Sequence, residues 1–507
     1  MALRTRWVNL LIALAFLGSA AWVVVIPFFP SLDGWTHLYT ARMLFEGIPE
    51  GVFCRNPGLV PNAGGHMALG ALAQVLPPLV AERVFLAALI LGLGLGTWAL
   101  AAAFGRPSPL ILMALPFTVN FLLLMGFHNF LLGLSLALLL AAAWISRARV
   151  TWWHTALLLP ASLVILYTHT MALPLFLLLC GAHELTVALG LRAREDVRFA
   201  RPWLALAAFV AMAVPALWLM QRFGTGQAIA WSAVDPLDNL RQLFNLRVLV
   251  LFGGEEVKFS YALKLILVGA LAAAAIGRAS AERPWRIAAG DALLGASLLL
   301  LGLYFFLPDS AGFASYITLR LQLMALLPLI AWMALQPVRP VAAALPVIML
   351  LLLHQARLGH YRATAAPLAW ERDLLAEAAA HLPEGSTVLP INRDGNWLMA
   401  HAAPLLTVER PVTLLDNYEC ATGYFPLIWC PELPRELRGL MEGHVNCLDW
   451  LDAHIRSGAP PVIDRIALFG HGIDTAACDM RALRQVLADH FEPDHRNAYV
   501  QVHRRRQ

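Results

Sequence analysis

Residues 7–37 read WVNLLIALAFLGSAAWVVVIPFFPSLDGWTH. Residues 7–28 form an apolar run long enough for a helix to cross a bilayer, which takes about 20 such residues. The run is too long for the apolar region of a signal peptide, although Gly18-Ser19-Ala20 would pass as a cleavage site. It is therefore expected to be an uncleaved first span. Where it ends, Pro30-Ser31-Leu32-Asp33-Gly34-Trp35-Thr36-His37 brings a carboxylate and an imidazole to the membrane boundary.

Ten further apolar runs follow, near 82–104, 108–126, 129–146, 152–168, 170–190, 203–220, 260–277, 287–306, 317–336 and 340–356. The composition agrees with this pattern, since 59% of the 507 residues are hydrophobic and only 14% are charged. Soluble domains carry about 25% charged residues. A soluble enzyme, a disordered chain and a coiled coil are excluded. A net charge of +4 is too small to point to nucleic acid. Two of the 37 cationic residues are Lys, at 258 and 264, and the rest are Arg.

Arginine placement sets the expected orientation. Arg4 and Arg6 precede the first run, and Arg106, Arg147, Arg149, Arg192, Arg194, Arg198, Arg201, Arg278, Arg283, Arg286 and Arg339 mark every second connection. With eleven spans, these segments share the cytoplasmic side, and the N-terminus is inside. The connections at 30–80 and 221–259 and the C-terminal part then lie outside.

Acidic residues divide the chain in two, because 19 of the 33 lie after Arg357. We expect a polytopic α-helical membrane domain over 1–357 and an extracytoplasmic α/β domain over 358–507. In the latter, Leu368–His381, Leu448–Ser457 and Arg481–His490 read as helices. Ser386–Ile391, Val412–Leu415, Pro461–Phe469 and Ala498–His503 read as strands. Neither part shows a GxGxxG, P-loop or GxSxG motif, or an internal repeat.

Five of the six cysteines face the expected outer side: Cys54, Cys420, Cys430, Cys447 and Cys478. An oxidising compartment permits disulfides. Cys420 with Cys430 and Cys447 with Cys478 are natural pairs to consider, although spacing does not decide connectivity. No CxxC or His/Cys spacing suggests a structural zinc.

Asp33 and His37 are four residues apart, so a helix starting at Gly34 places them on one face. Such a pair can share a proton, a metal or a substrate hydroxyl. The bland alternative makes Asp33 the N-cap of a helix Trp35–Phe45 and His37 an interfacial ring. His128 and Asn129, Tyr167 and His169, and His66 after Gly64-Gly65 reach the same expected depth. Arg320 and Gln322 lie one turn inside the tenth run, where a guanidinium is costly unless paired or snorkelling. A lipid phosphate would suit its planar fork. Glu255 and Glu256, after Gly253-Gly254, are a second acidic candidate.

A first span, an acidic outer loop, many further spans and a C-terminal outer α/β domain resemble the GT-C superfamily of integral-membrane glycosyltransferases. Asp33 with His37 carries the resemblance, together with Arg320 and Gly126-Phe127-His128-Asn129-Phe130-Leu131-Leu132-Gly133-Leu134. It implies a sugar donor linked to a polyprenyl phosphate. It also implies transfer with inversion to a glycan, lipid or protein acceptor on the outer face of a bacterial cytoplasmic membrane. Asp33 would be the base with His37 as the second catalytic residue, and Arg320, Gln322, His66, His128, Asn129, His169, Glu255 and Glu256 would bind the substrate or its lipid phosphate. Many GT-C families carry two adjacent acidic residues in the first loop. Here the next carboxylate is Glu46, which favours a lone base over a metal. No cofactor is required, and a divalent metal is left open. The rival readings are a lipid or polysaccharide transporter or flippase, and a non-catalytic partner in envelope assembly. A transporter is expected to show repeats and charged or broken helices at mid-membrane, which this sequence does not.

Overall fold

The computed structural model describes residues 2–58, 60–147, 152–189, 202–225, 232–282, 286–288, 290–311, 314–438, 448–471 and 480–506. They form two compact units. The first comprises Met1–Val25, Leu86–Leu123 and Phe127–Tyr361, and the second Ile26–Phe85, Leu124–Gly126 and Arg362–Gln507.

The protein is a multi-pass membrane protein. Among the described residues, seven helices are long and apolar enough to cross a membrane: Arg6–Val25, Pro78–Ala102, His128–Ile145, Leu206–Phe223, Gly254–Ala279, Ile317–Ala334 and Pro340–Ala379. The remaining four expected runs are present as shorter apolar helical segments, Pro109–Leu124, Leu158–Thr168, Ala172–Ala188 and Asp291–Phe306. The last expected run does not end near residue 356. It continues without a break to Ala379 and absorbs most of the separate helix expected at Leu368–His381.

In the first unit, Ile317–Ala334 packs against Asp291–Phe306, and His128–Ile145 against Ala172–Ala188. Ile317–Ala334 is buried along most of its length, through side chains such as Leu319, Leu323, Leu327 and Ile330. Outer helices instead expose Leu265, Val268, Phe306 and Val341, the last by 83%. So much exposed apolar surface is incompatible with water and natural in lipid.

The second unit holds two sheets. β1 (Phe53–Arg55) belongs to the connection that follows the first apolar helix. Next come β2 (Thr387–Asn392) and β3 (Thr413–Leu414), then β4 (Leu427–Trp429), β5 (Arg465–Phe469), β6 (Phe491–Arg496) and β7 (Val500–Arg505). The larger sheet has the order β3-β2-β5-β7-β6. β2 pairs in parallel with β3 and β5, whereas β5, β7 and β6 pair antiparallel. β2 is buried from Val388 to Ile391, as expected of a strand covered on both faces. Four of these strands overlap those expected from the sequence. β6 was not expected, because Glu492, Pro493, Asp494 and His495 give it no apolar alternation.

The smaller sheet is the antiparallel pair β1 and β4. A disulfide between Cys54 and Cys430 closes it across 376 residues of sequence. This corrects the pairing considered for Cys420, which is buried and free. Sequence proximity suggested the wrong partner because strand pairing, not chain distance, brings the sulfurs together. Cys447 and Cys478 lie outside the described residues.

Candidate functional site

The helix Gly34–Glu46 begins one residue after Asp33 and packs against Gly64–Ala73 and the turn Ala403–Thr407. Its face carrying His37 and Thr40 is buried. Asp33 occupies the N-cap position, yet its side chain makes no capping hydrogen bond. A capping aspartate would accept from the second or third helical N–H. Instead His401 Nδ1 donates to Asp33 Oδ1 over 2.7 Å. His401 stacks on Tyr418 with ring centroids 4.5 Å apart. The side chains of His401 and Asp33 remain 14% and 10% exposed.

Gly126 closes in on the same aspartate. Its φ of 82° lies in the left-handed region, and a Cβ there would stand 2.7 Å from the Asp33 Cβ and backbone N. Glycine is required on both counts. Its carbonyl accepts from His37 Nε2 at 2.8 Å, which orients that ring.

His37 turns its other nitrogen toward His66 and Glu419 rather than toward Asp33. His37 Nδ1 lies 3.2 Å from His66 Nε2 and also contacts Glu419 Oε1. His66 Nε2 is 3.0 Å from Glu419 Oε1 and 3.2 Å from Oε2. The second Glu419 oxygen accepts from the Thr40 hydroxyl, and Asn417 in turn donates to Thr40 over 3.1 Å. Phe425 packs on both imidazoles.

These buried groups perturb one another. Burial alone would raise the Glu419 pKa, but His66 and His37 override it and hold the carboxyl below its ordinary range. For His37, burial pulls the pKa down. The charge and hydrogen bond of Glu419, with smaller contributions from Asp33 and the Gly126 carbonyl, more than offset that and leave it raised. Asp416, next to this segment, is pushed up to about 6 by burial, against the opposing pull of His401.

The remaining sequence candidates lie in the first unit. Arg320 is 7% exposed. It donates to Met171 Sδ over 3.4 Å and lies over the rings of Phe127 and Phe130. Its Nε has no hydrogen-bond partner among the described residues. His169 packs against Phe130 and accepts from the Met171 N–H at 3.1 Å. His128 and Asn129 are buried at the start of His128–Ile145. Gln322 is engaged at both ends, accepting from Val248 N at 3.0 Å and donating to Gln242 O at 3.3 Å. Glu256 is buried and accepts from the backbone of Leu251 and Phe252, whereas Glu255 is exposed beside Lys258. Gln322 and Glu256 are therefore engaged by backbone groups, and Glu255 is a solvated side chain.

Sequence reasoning missed His401 and Glu419. Neither stands in a motif, and they follow their partners by 368 and 382 residues.

No protein-family model matches the chain, and no curated protein matches it. Solved structures do. The chain is similar to ArnT. A crystal structure of ArnT from Cupriavidus metallidurans bound to undecaprenyl phosphate matches at a TM-score of 0.46 and 13% identity, covering 98% of each chain. The apo form of the same protein matches at 0.42 and 13% identity, over 99% of this chain and 98% of that one.

Proposed function

We propose that the protein is a membrane glycosyltransferase. It would move a sugar from a polyprenyl-phosphate donor to a glycan, lipid or protein acceptor at the outer face of the cytoplasmic membrane. The observation that supports this best is the Asp33 carboxylate, which lies in a capping position but is given to His401 instead. A carboxylate held by one imidazole keeps lone pairs for a substrate hydroxyl.

In this reading Asp33 takes the proton of the acceptor hydroxyl as its oxygen attacks the anomeric carbon. The bond from that carbon to the lipid phosphate breaks, with inversion. His401 holds the carboxylate in one rotamer, which removes the reorientation that a free side chain would need. Arg320 is proposed separately as a cation for the lipid phosphate, since it is buried and only weakly hydrogen-bonded.

Asp33→Asn keeps the shape and removes the base. Transfer from a panel of polyprenyl-phosphate sugars should fall by about 10²–10⁴-fold, the usual contribution of a general base. Wild-type transfer by a folded variant would refute the role of Asp33. A transporter or an assembly partner would keep its function with Asn at this position.

A further inference from the structure

We propose that Glu371, Asp394 and His471 form a binding site for a divalent transition-metal cation, of the manganese or zinc class, at the carboxyl ends of β2 and β5. The sheet topology points to this place. β2 and β5 are parallel neighbours whose last paired residues are Asn392 and Phe469. In the order β3-β2-β5-β7-β6 the chain leaves β2 toward β3 and leaves β5 toward β6 and β7, on opposite sides. Where neighbouring parallel strands part in this way a crevice opens at their carboxyl ends, and open α/β sheets bind ligands there. Asp394 and His471 are each the second residue past their strand.

The two strand ends are pressed together. The backbone N–H of Arg393 donates to Phe469 O over 2.6 Å. Gly470 has a φ of 116°, and a Cβ on it would lie 2.2 Å from Asp394 N, so the crossing requires glycine. Glu371 comes from the helix Pro340–Ala379. Asn497, between β6 and β7, fastens that helix to the sheet by donating to Leu374 O over 2.9 Å. One ligating atom from each of Glu371, Asp394 and His471 lies within 4.8 Å of the others. His471 Nε2 is 3.1 Å from Glu371 Oε1, a contact that needs a hydrogen or a cation between the two atoms.

Bonding within the cluster is unequal. Asp394 accepts from the Tyr499 hydroxyl and, over 2.7 Å, from Asn396 N. Ligating carboxylates are held by hydrogen bonds of this kind, and lone pairs remain for a metal. The His471 ring packs on Tyr499 at 5.0 Å and lies parallel to Trp370 at 6.2 Å. Glu371 is 9% exposed, and its Oε2 is buried with no hydrogen-bond partner among the described residues. A buried carboxylate oxygen without a donor, beside a second carboxylate, calls for a positive charge. Two carboxylates and one imidazole are a mixed donor set that suits Zn²⁺ or Mn²⁺. The His471 side chain is 53% exposed, so the cluster opens to solvent. The coordination positions left over can then take water or an oxygen of an anionic ligand.

The test titrates the full chain, purified in detergent without a polyhistidine tag, with Mn²⁺. The electron paramagnetic resonance signal of free Mn²⁺ should fall as the protein binds it, and Zn²⁺ should compete. His471→Ala and Glu371→Gln should each weaken that binding at least tenfold while keeping the wild-type unfolding temperature in metal-free buffer. Tyr499→Phe takes the hydroxyl from Asp394 and should weaken it about 10–100-fold, the usual cost of losing a group that holds a ligand. The cluster of His37, His66 and Glu419 is the same in all four proteins, so the difference from wild type reports the sheet end alone. Equal Mn²⁺ binding by wild type, His471→Ala and Glu371→Gln would overturn the proposal and make Glu371 and His471 an ordinary ion pair. A wild type that takes up neither Mn²⁺ nor Zn²⁺ would overturn it as well. Neither outcome bears on the transfer assay of Asp33→Asn, so the two proposals fail independently.

Discussion

Arg357 and Arg320 are both buried in the helical unit, and they are held in opposite ways. Arg357 is fully buried and donates to the carbonyls of Pro116 and Val119 and to the Tyr361 hydroxyl, which itself donates to Leu249 O over 2.9 Å. Arg320 has a thioether at 3.4 Å and two aromatic faces. The other unit repeats the contrast with carboxylates. Glu419 is surrounded by two imidazoles and a hydroxyl, while Asp33 is held by His401. A buried charge whose bonding capacity is filled serves the fold. One that keeps capacity in hand is costly to the fold and is explained by a ligand or a reaction.

The largest expected effect separates the two arginines. Arg357→Met strips partners from two buried carbonyls and a tyrosine hydroxyl and should destabilise by about 2–4 kcal/mol. Arg320→Met removes an under-bonded cation and should stay within about 1 kcal/mol of wild type, while binding of polyprenyl phosphate weakens at least tenfold. Thermal unfolding in detergent and a lipid-binding titration read these out. An equal loss of stability for both would erase the distinction.

A smaller effect is expected at Gly126. Alanine there must hold a left-handed backbone and meets Asp33 at 2.7 Å. The change should cost roughly 2 kcal/mol and lower transfer more than Asp33-independent properties such as lipid binding. Unchanged transfer would show that the placement of Asp33 by Gly126 does not matter.

The smallest effect concerns Asp416. Its folded pKa is raised from 3.8 to about 6. The native state therefore holds that proton more tightly than the unfolded state. The resulting stability is complete below about pH 4 and is lost as pH rises through about 6. Asp416→Asn should then gain roughly 1–2 kcal/mol at pH 8 after allowing for partial solvent screening. The gain should shrink toward zero near pH 4. A gain independent of pH would place its cause elsewhere.

Much of the architecture was legible because lipid imposes simple rules. The apolar runs, the helix opening at Gly34 and four strands of the larger sheet follow from hydrophobic length, capping and alternation. Asp33, His37, His66 and Arg320 stood out because polar groups are scarce near such runs. His401 and Glu419 could not stand out, since they lie in a stretch of ordinary polarity and gain meaning only from partners hundreds of residues away. The Cys54–Cys430 bond escaped for the same reason. Local spacing carries no information about contacts made by a strand pair between distant segments.

The most direct test of the account sets Asp33→Asn beside Glu419→Gln, with sugar transfer and unfolding temperature measured on the same preparations. The account predicts that Asp33→Asn keeps its unfolding temperature and loses at least 100-fold in transfer, and that Glu419→Gln loses stability first. Full transfer by Asp33→Asn, or a loss of transfer only in proportion to unfolded protein, would contradict it.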